Sequence, residues 1–131
     1  MKPVPITSPA APPPGGPYSP GLQFGDWVLL AGQGGADPAT GQLGETIKEQ
    51  TEQTFRNIAV LLEAAGCTLD DVVSSLVHLS DLSLFPRYNE VYGRHFHDPK
   101  PVRTTVGADL LHGMLVEITV TARRPGSDLL V

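Results

Sequence analysis

Two residues of complementary chemistry, Arg103 and Glu117, lie in the stretch PVRTTVGADLLHGMLVEITVTA, residues 101–122. The stretch alternates with period two on both sides of a short Gly-containing break, which predicts two strands joined as a hairpin. On the second limb Val116, Ile118, Val120 and Ala122 share one face, and Glu117, Thr119 and Thr121 share the other. On the first limb Val102, Thr104, Val106 and Ala108 form the apolar-leaning face, opposite Arg103, Thr105, Gly107 and Asp109. Arg103 and Glu117 are therefore both expected to point away from the helix-covered side. A guanidinium and a carboxylate on one sheet face are either a structural ion pair or the two ends of a site for a small anionic substrate. The alternation leaves both open.

Other reactive side chains form no comparable set. His95 and His97 are two residues apart, about 200° around a helix, and no cysteine or carboxylate cluster completes a metal-ligand set, so no metal is expected. His78 on a strand and His112 in a turn have no identifiable serine and acid partners for a nucleophilic triad. Cys67, the only cysteine, follows a helix cap, cannot form an internal disulfide and reads as a gap-filler. AGQGG, residues 31–35, follows a strand, but the next helix begins too late for a phosphate loop.

The elements that must position Arg103 and Glu117 can be read in order. Residues 2–7 suit a short edge strand, and the proline- and glycine-rich residues 8–20 suit an ordered coil with Tyr18 as its one adhesive side chain. Residues 21–24 and 26–31 flank Gly25-Asp26 as a hairpin, and the run WVLLA is apolar enough for a strand covered on both faces. Residues 32–44 form a loop whose bare backbone is open to close approach by a ligand. A helix follows, with Thr46 and Glu49 as a capping box and Gly66 as a left-handed C-cap. Its inner face carries Ile47, Thr51, Phe55, Ile58, Leu62 and Ala65. VVSSLVHL is the next strand, with Val73, Val77 and Leu79 on one face. A second helix opens at residues 81–83 and runs through Phe96, with Pro86 in its first turn. Its stripe of Phe85, Tyr88, Tyr92 and Phe96 reads as core, with Asn89 beside it. The order ββαβαββ predicts an α+β fold, a mixed sheet with two helices on one face and a more polar second face that needs a partner.

At 131 residues the chain reads as a single domain, with the Pro-rich residues 1–20 packed on it, able to bury roughly two thirds of its unfolded surface. A formal net charge of -5 with scattered Lys and Arg gives no electrostatic footprint for nucleic acid. No apolar run approaches the roughly 20 residues of a membrane span, and the prolines after Lys2 do not form a secretory signal. A cytoplasmic protein is the expectation.

The stretches GGPYSPGLQFGDWVLLAGQ, DPATGQLGETIKEQTEQTFRNIAVLLEAAGCTLDDVV, NEVYGRHF and PVRTTV followed by LVEITVTA resemble, in order and over nearly the whole chain, the Rid proteins, the reactive intermediate deaminases of the YjgF family. The resemblance implies a chorismate-mutase-like α+β fold and a homotrimer with sites in the clefts between subunits. It also implies hydrolysis of enamines or imines, typically 2-aminoacrylate released by PLP-dependent dehydratases, to 2-keto acids and ammonia without a cofactor. Arg103 then matches the carboxylate-binding arginine, and Glu117 the acid that holds or activates the hydrolytic water. Tyr18 matches the tyrosine of the GPYS motif, Gly32 contributes backbone, Asn89 matches the asparagine of NEVY, and Thr105 stands where many members have cysteine.

Two departures bear on the substrate. Where the family often reads SGQIP this chain has Ala31-Gly32-Gln33-Gly34-Gly35, and DLLHGM lacks the usual leucine-proline-basic turn. Both reshape the expected pocket and keep in view a specialised enzyme for a larger imine or enamine. A binding or chaperone-like trimer that uses Arg103 only to hold a 2-keto acid is the second class of function. Members of the family are also described as translation inhibitors or ribonucleases, and the acidic balance speaks against RNA.

Overall fold

Strand β6, Val116–Arg123, lies inside the sheet, and its residues Val116, Ile118, Val120 and Ala122 are sealed from solvent. The computed structural model describes residues 2–126 and has six strands in the order β1-β2-β3-β6-β4-β5. They are β1 Val4–Ile6, β2 Gly21–Phe24, β3 Trp27–Leu30, β4 Val72–Leu79, β5 Val102–Gly107 and β6. All neighbours are antiparallel except β4 and β5, which run parallel as strands joined through a helix do. Helices α1, Ile47–Ala64, and α2, Phe85–Gly93, pack on one face. The expected α+β architecture, with a mixed sheet and both helices on one side, is what the chain adopts. No helix among the described residues is long and apolar enough to cross a membrane.

The predicted terminal hairpin does not form. β5 and β6 both pair with β4, which lies between them. Residues 108–115 step over the end of β4, held by the Ala108 N–H to the Leu79 carbonyl at 2.9 Å and the Ser80 N–H to the Leu115 carbonyl at 3.0 Å. Period-two alternation reports which residues share a face, not which strand lies alongside. Three smaller expectations also change. A register shift between Val72 and Ser74 turns Val73 outward, and Val72 takes its place in the core. WVLLA is covered on one face only, with Trp27 and Leu29 exposed opposite the buried Val28 and Leu30. The second helix enters through a 3-10 turn, Leu82–Leu84, capped by Asp81, and ends at Gly93, while Phe96 still completes the buried aromatic stripe.

α1 is framed by its ends. The Thr46 hydroxyl accepts the Glu49 N–H at 3.1 Å, but the Glu49 carboxylate reaches back to the Glu45 N–H at 3.0 Å, so the reciprocal half of the predicted capping box closes one residue early. Gly66, at φ +78°, ends the helix, and the Cys67 N–H bonds back to the Leu62 carbonyl at 2.8 Å. Cys67 is buried beneath this cap, where desolvation, and then Asp71, push its thiol up and keep it protonated.

The inner face of α1 also carries Gln50 and Asn57, both buried. Asn57 Nδ2 donates to the carbonyls of Gly34 and Ala36, each at 2.9 Å. Gln50 donates to the Gly44 carbonyl at 2.8 Å and accepts the Leu115 N–H at 2.9 Å. The helix thus fastens the 31–46 loop and the approach to β6. Asn57→Leu should leave two partly buried carbonyls without their amide donor and cost about 1–3 kcal/mol, read as a lower denaturation midpoint at fixed protein concentration. An unchanged midpoint would show that the loop does not depend on this anchor.

Candidate functional site

β6 directs Glu117 to the face of the sheet that the helices leave open. Beside it, the Gln33 and Ile118 backbones exchange two hydrogen bonds of 2.9 Å, so the loop after β3 runs along β6 as a one-residue extension of the sheet. That pairing sets Gly32 against the Glu117 side chain. A Cβ at Gly32 would lie 2.8 Å from the carboxyl carbon and 2.9 Å from Oε1, so only glycine leaves the carboxylate its place. Gly34 likewise leaves the space that the Met114 thioether fills. Tyr18, whose hydroxyl accepts the Gly15 N–H at 3.0 Å, closes the group from the proline-rich segment. Tyr18, Gly32, Gly34, Met114, His112 and Glu117 all line one cavity of about 360 Å³. His112 and Gly113 turn its rim in the left-handed region, at φ 59° and 75°.

Across β4 and β6, His78 is the register partner of Glu117, and its Nδ1 lies 3.9 Å from Glu117 Oε1. The sequence offered His78 no acid partner; the fold supplies one. Two strands far apart in the chain meet here, and only their register reveals the pair.

Arg103 goes elsewhere. In the parallel ladder it pairs with Ser75 and Thr105 pairs with Val77, both of which are buried toward the helices. Its Nη1 donates to Asn89 Oδ1 at 2.8 Å and to the Tyr88 hydroxyl at 3.3 Å, both on α2. The guanidinium carbon sits 4.6 Å from the Tyr92 ring centroid and 5.5 Å from that of Phe85, an aromatic bed for a planar cation. Burial pushes the Tyr88 and Tyr92 phenols up, against the opposing pull of Arg103, so both stay neutral. Thr105 lies beside Tyr88 on the same face. The expectation that Arg103 and Glu117 share a face is therefore wrong. The apolar-leaning set of β5, with Val102 70% exposed, faces the open side, and Arg103 turns toward α2.

The six residues singled out by sequence thus form two groups within one chain. Tyr18, Gly32 and Glu117 share the cavity, while Arg103, Asn89 and Thr105 gather at the edge strand on the opposite face. The first can hold and deprotonate a water, and the second offers charge-assisted donors to a carboxylate. Neither carboxylate contact of the helix-end histidines builds a metal site: His95 meets Glu52 at 3.1 Å and His97 meets Asp70 at 3.0 Å. Among the described residues no three ligating side chains converge. Sequence reading missed Gln50, Asn57 and His78; polar residues on the inner face of an amphipathic helix were the available signal for the first two.

Comparison with known proteins places this fold in a family. The model of the family described as Endoribonuclease L-PSP matches residues 8–124. A RutC family protein of Saccharolobus solfataricus is 47% identical over 116 residues, covering 87% of this chain and 92% of its own. A protein of Dermatophagoides farinae named 2-iminobutanoate/2-iminopropanoate deaminase is 37% identical over 115 residues, covering 86% and 90%. The crystal structure of RidA from the Antarctic bacterium Psychrobacter sp. PAMC 21119 superposes with a TM-score of 0.87 at 41% identity, covering 90% of this chain and 97% of that one. With residues 8–124 matched and such relatives covered nearly end to end, the chain belongs to the Endoribonuclease L-PSP family, that of the Rid, or YjgF, proteins.

Proposed function

We propose that the protein is an enamine and imine deaminase, converting 2-aminoacrylate-type intermediates to 2-keto acids and ammonia in a homotrimer whose sites are completed between copies. One observation carries the reading: the Glu117 cavity and the Arg103 group, suited by chemistry to direct a water and to bind a carboxylate, lie on opposite faces of one sheet. A second copy, seated on the open face, can bring its Arg103 group to the Glu117 cavity of the first. That face exposes Trp27, Leu29, Leu76 and Val102, apolar side chains suited to burial in an assembly. The deaminase name of the Dermatophagoides farinae relative supports the chemistry.

In the proposed reaction Arg103 and Asn89 hold the substrate carboxylate. Glu117 takes a proton from water as the oxygen bonds to the imine carbon, and the π pair of the C=N bond moves to nitrogen. The proton then passes to that nitrogen, and as the C–N bond breaks the hydroxyl of the adduct becomes the keto carbonyl and gives its proton to the departing ammonia. The enamine 2-aminoacrylate enters the sequence as the imine formed when its methylene carbon takes a proton from solvent. A protonated imine is already electrophilic, so placing the water and the proton acceptor is enough, with general base catalysis contributing about 10²–10⁴-fold. The net charge of -5 favours this small-carboxylate reading over the RNA cleavage in the family's description. Ala31 in place of the family's common serine, and a cavity wall in which Met114 fills the space beside Gly34, reshape the site and make a larger imine the substrate alternative within the same chemistry.

Arg103→Ala should cost about 2–4 kcal/mol in kcat/KM for 2-aminoacrylate hydrolysis, some thirty- to a thousandfold, and Arg103→Lys should recover only part. Glu117→Gln should abolish turnover while binding of pyruvate or 2-oxobutyrate, measured calorimetrically, survives; full activity in either folded variant would end the assignment. Gly32→Ala should displace the Glu117 carboxylate and lower kcat with little change in melting temperature. Equal amounts of Arg103→Ala and Glu117→Gln chains, refolded together, should regain about a quarter of wild-type activity by random assortment in a cyclic oligomer. A site within one chain predicts no recovery from any mixture.

A further inference from the structure

Glu117 is flanked on two sides, and the two flanks are chemically unequal. On one side Gly32 shuts it in, since even a Cβ there would stand 2.9 Å from Oε1. On the other, the His78 imidazole lies 3.9 Å from the same oxygen. His78 Nδ1 is shielded from solvent and has no hydrogen-bond partner, a costly condition for a ring nitrogen. Its neighbours in register are Glu117 on β6 and the apolar Val106 on β5, so Glu117 is the one charged group paired with it across the sheet. The carboxylate packs close to the bare backbone at Gly32, whereas its 3.9 Å separation from His78 Nδ1 is longer than a hydrogen bond. A shift of about 1 Å would give an N–H···O hydrogen bond of ordinary length.

We propose that His78 is a positioning residue for Glu117: its Nδ1–H anchors one carboxylate oxygen and leaves the other aimed at the water. This rests on the deaminase reading of Glu117 and adds to it a residue outside the Arg103 group and the Tyr18 cavity wall. A carboxylate held by one arm presents its free lone pairs in a fixed direction, which is what water activation requires and what an exposed, freely rotating glutamate lacks. No atom is transferred to or from the imidazole in this role. The proton that Glu117 takes from water goes to the departing nitrogen, as above.

The test uses the full-length protein with His78→Phe, His78→Asn and Glu117→Gln, assayed for 2-aminoacrylate hydrolysis, pyruvate binding and melting temperature. Asparagine carries an amide N–H close to the place of Nδ1, whereas phenylalanine keeps the ring and removes the donor. The expected result is a fall in kcat of about tenfold in His78→Phe with KM and pyruvate affinity within about twofold, and substantial recovery in His78→Asn. Long-range proton–nitrogen correlation spectra of the wild-type protein should show the proton of neutral His78 on Nδ1. A bare Nδ1, or equal kcat in wild type and His78→Phe while Glu117→Gln is inactive, would overturn the positioning role and leave the deaminase reading standing. Activity retained in Glu117→Gln would instead remove the role of Glu117 on which this proposal rests, and absence of 2-aminoacrylate hydrolysis in the wild type would remove the deaminase reading itself.

Discussion

Two backbone hydrogen bonds between Gln33 and Ile118 hold the candidate site together. They lock the loop after β3 to the strand that carries Glu117, and the loop-side neighbours of that carboxylate follow from the lock. Gly32 is set against it because Gln33 is paired, and Gly34 faces Met114 because the pairing stops after one residue. Asn57 takes up the carbonyls that a longer ladder would have used. A loop of glycines has much conformational entropy to lose, and here the loss is offset by the sheet on one side and a buried helix amide on the other. The loop can be glycine-rich and still hold a fixed shape.

Much of this fold was legible in the sequence. The alternation of β6, the cap at Gly66 and the spacing on α1 each arise within a few residues, and each is found in place. What could not be read depends on partners. The terminal hairpin failed because the alternation of 102–107 and 116–122 is satisfied equally well with β4 inserted between them. Arg103 was turned the wrong way because an edge strand does not obey the inside-outside logic of a central one. On β5 the apolar residues meet the open face, while the arginine meets an aromatic bed that only the packing of α2 supplies. Asn57 and His78 were silent for the same reason, since their partners are backbone atoms and a carboxylate far away in the chain.

The division of Arg103 from Glu117 also changes what each residue must satisfy alone. In a single chain Arg103 has Asn89 and the Tyr92 and Phe85 rings, so its charge is not stranded, and among the described residues it is not tied to a carboxylate. Glu117 stays about 30% exposed and, among the described residues, pairs with no lysine or arginine. An internal ion pair would have neutralised both groups and blocked the carboxylate recognition that the proposed chemistry needs.

The contact of Met114 with the bare Cα of Gly34 has a consequence for variation at both positions. Any side chain at position 34 would occupy the space of the methionine sulfur, so the thioether would have to leave the cavity wall. The two positions are therefore coupled by volume: a side chain at 34 is tolerated to the extent that the flexible methionine at 114 swings aside, and a shorter residue at 114 would free position 34.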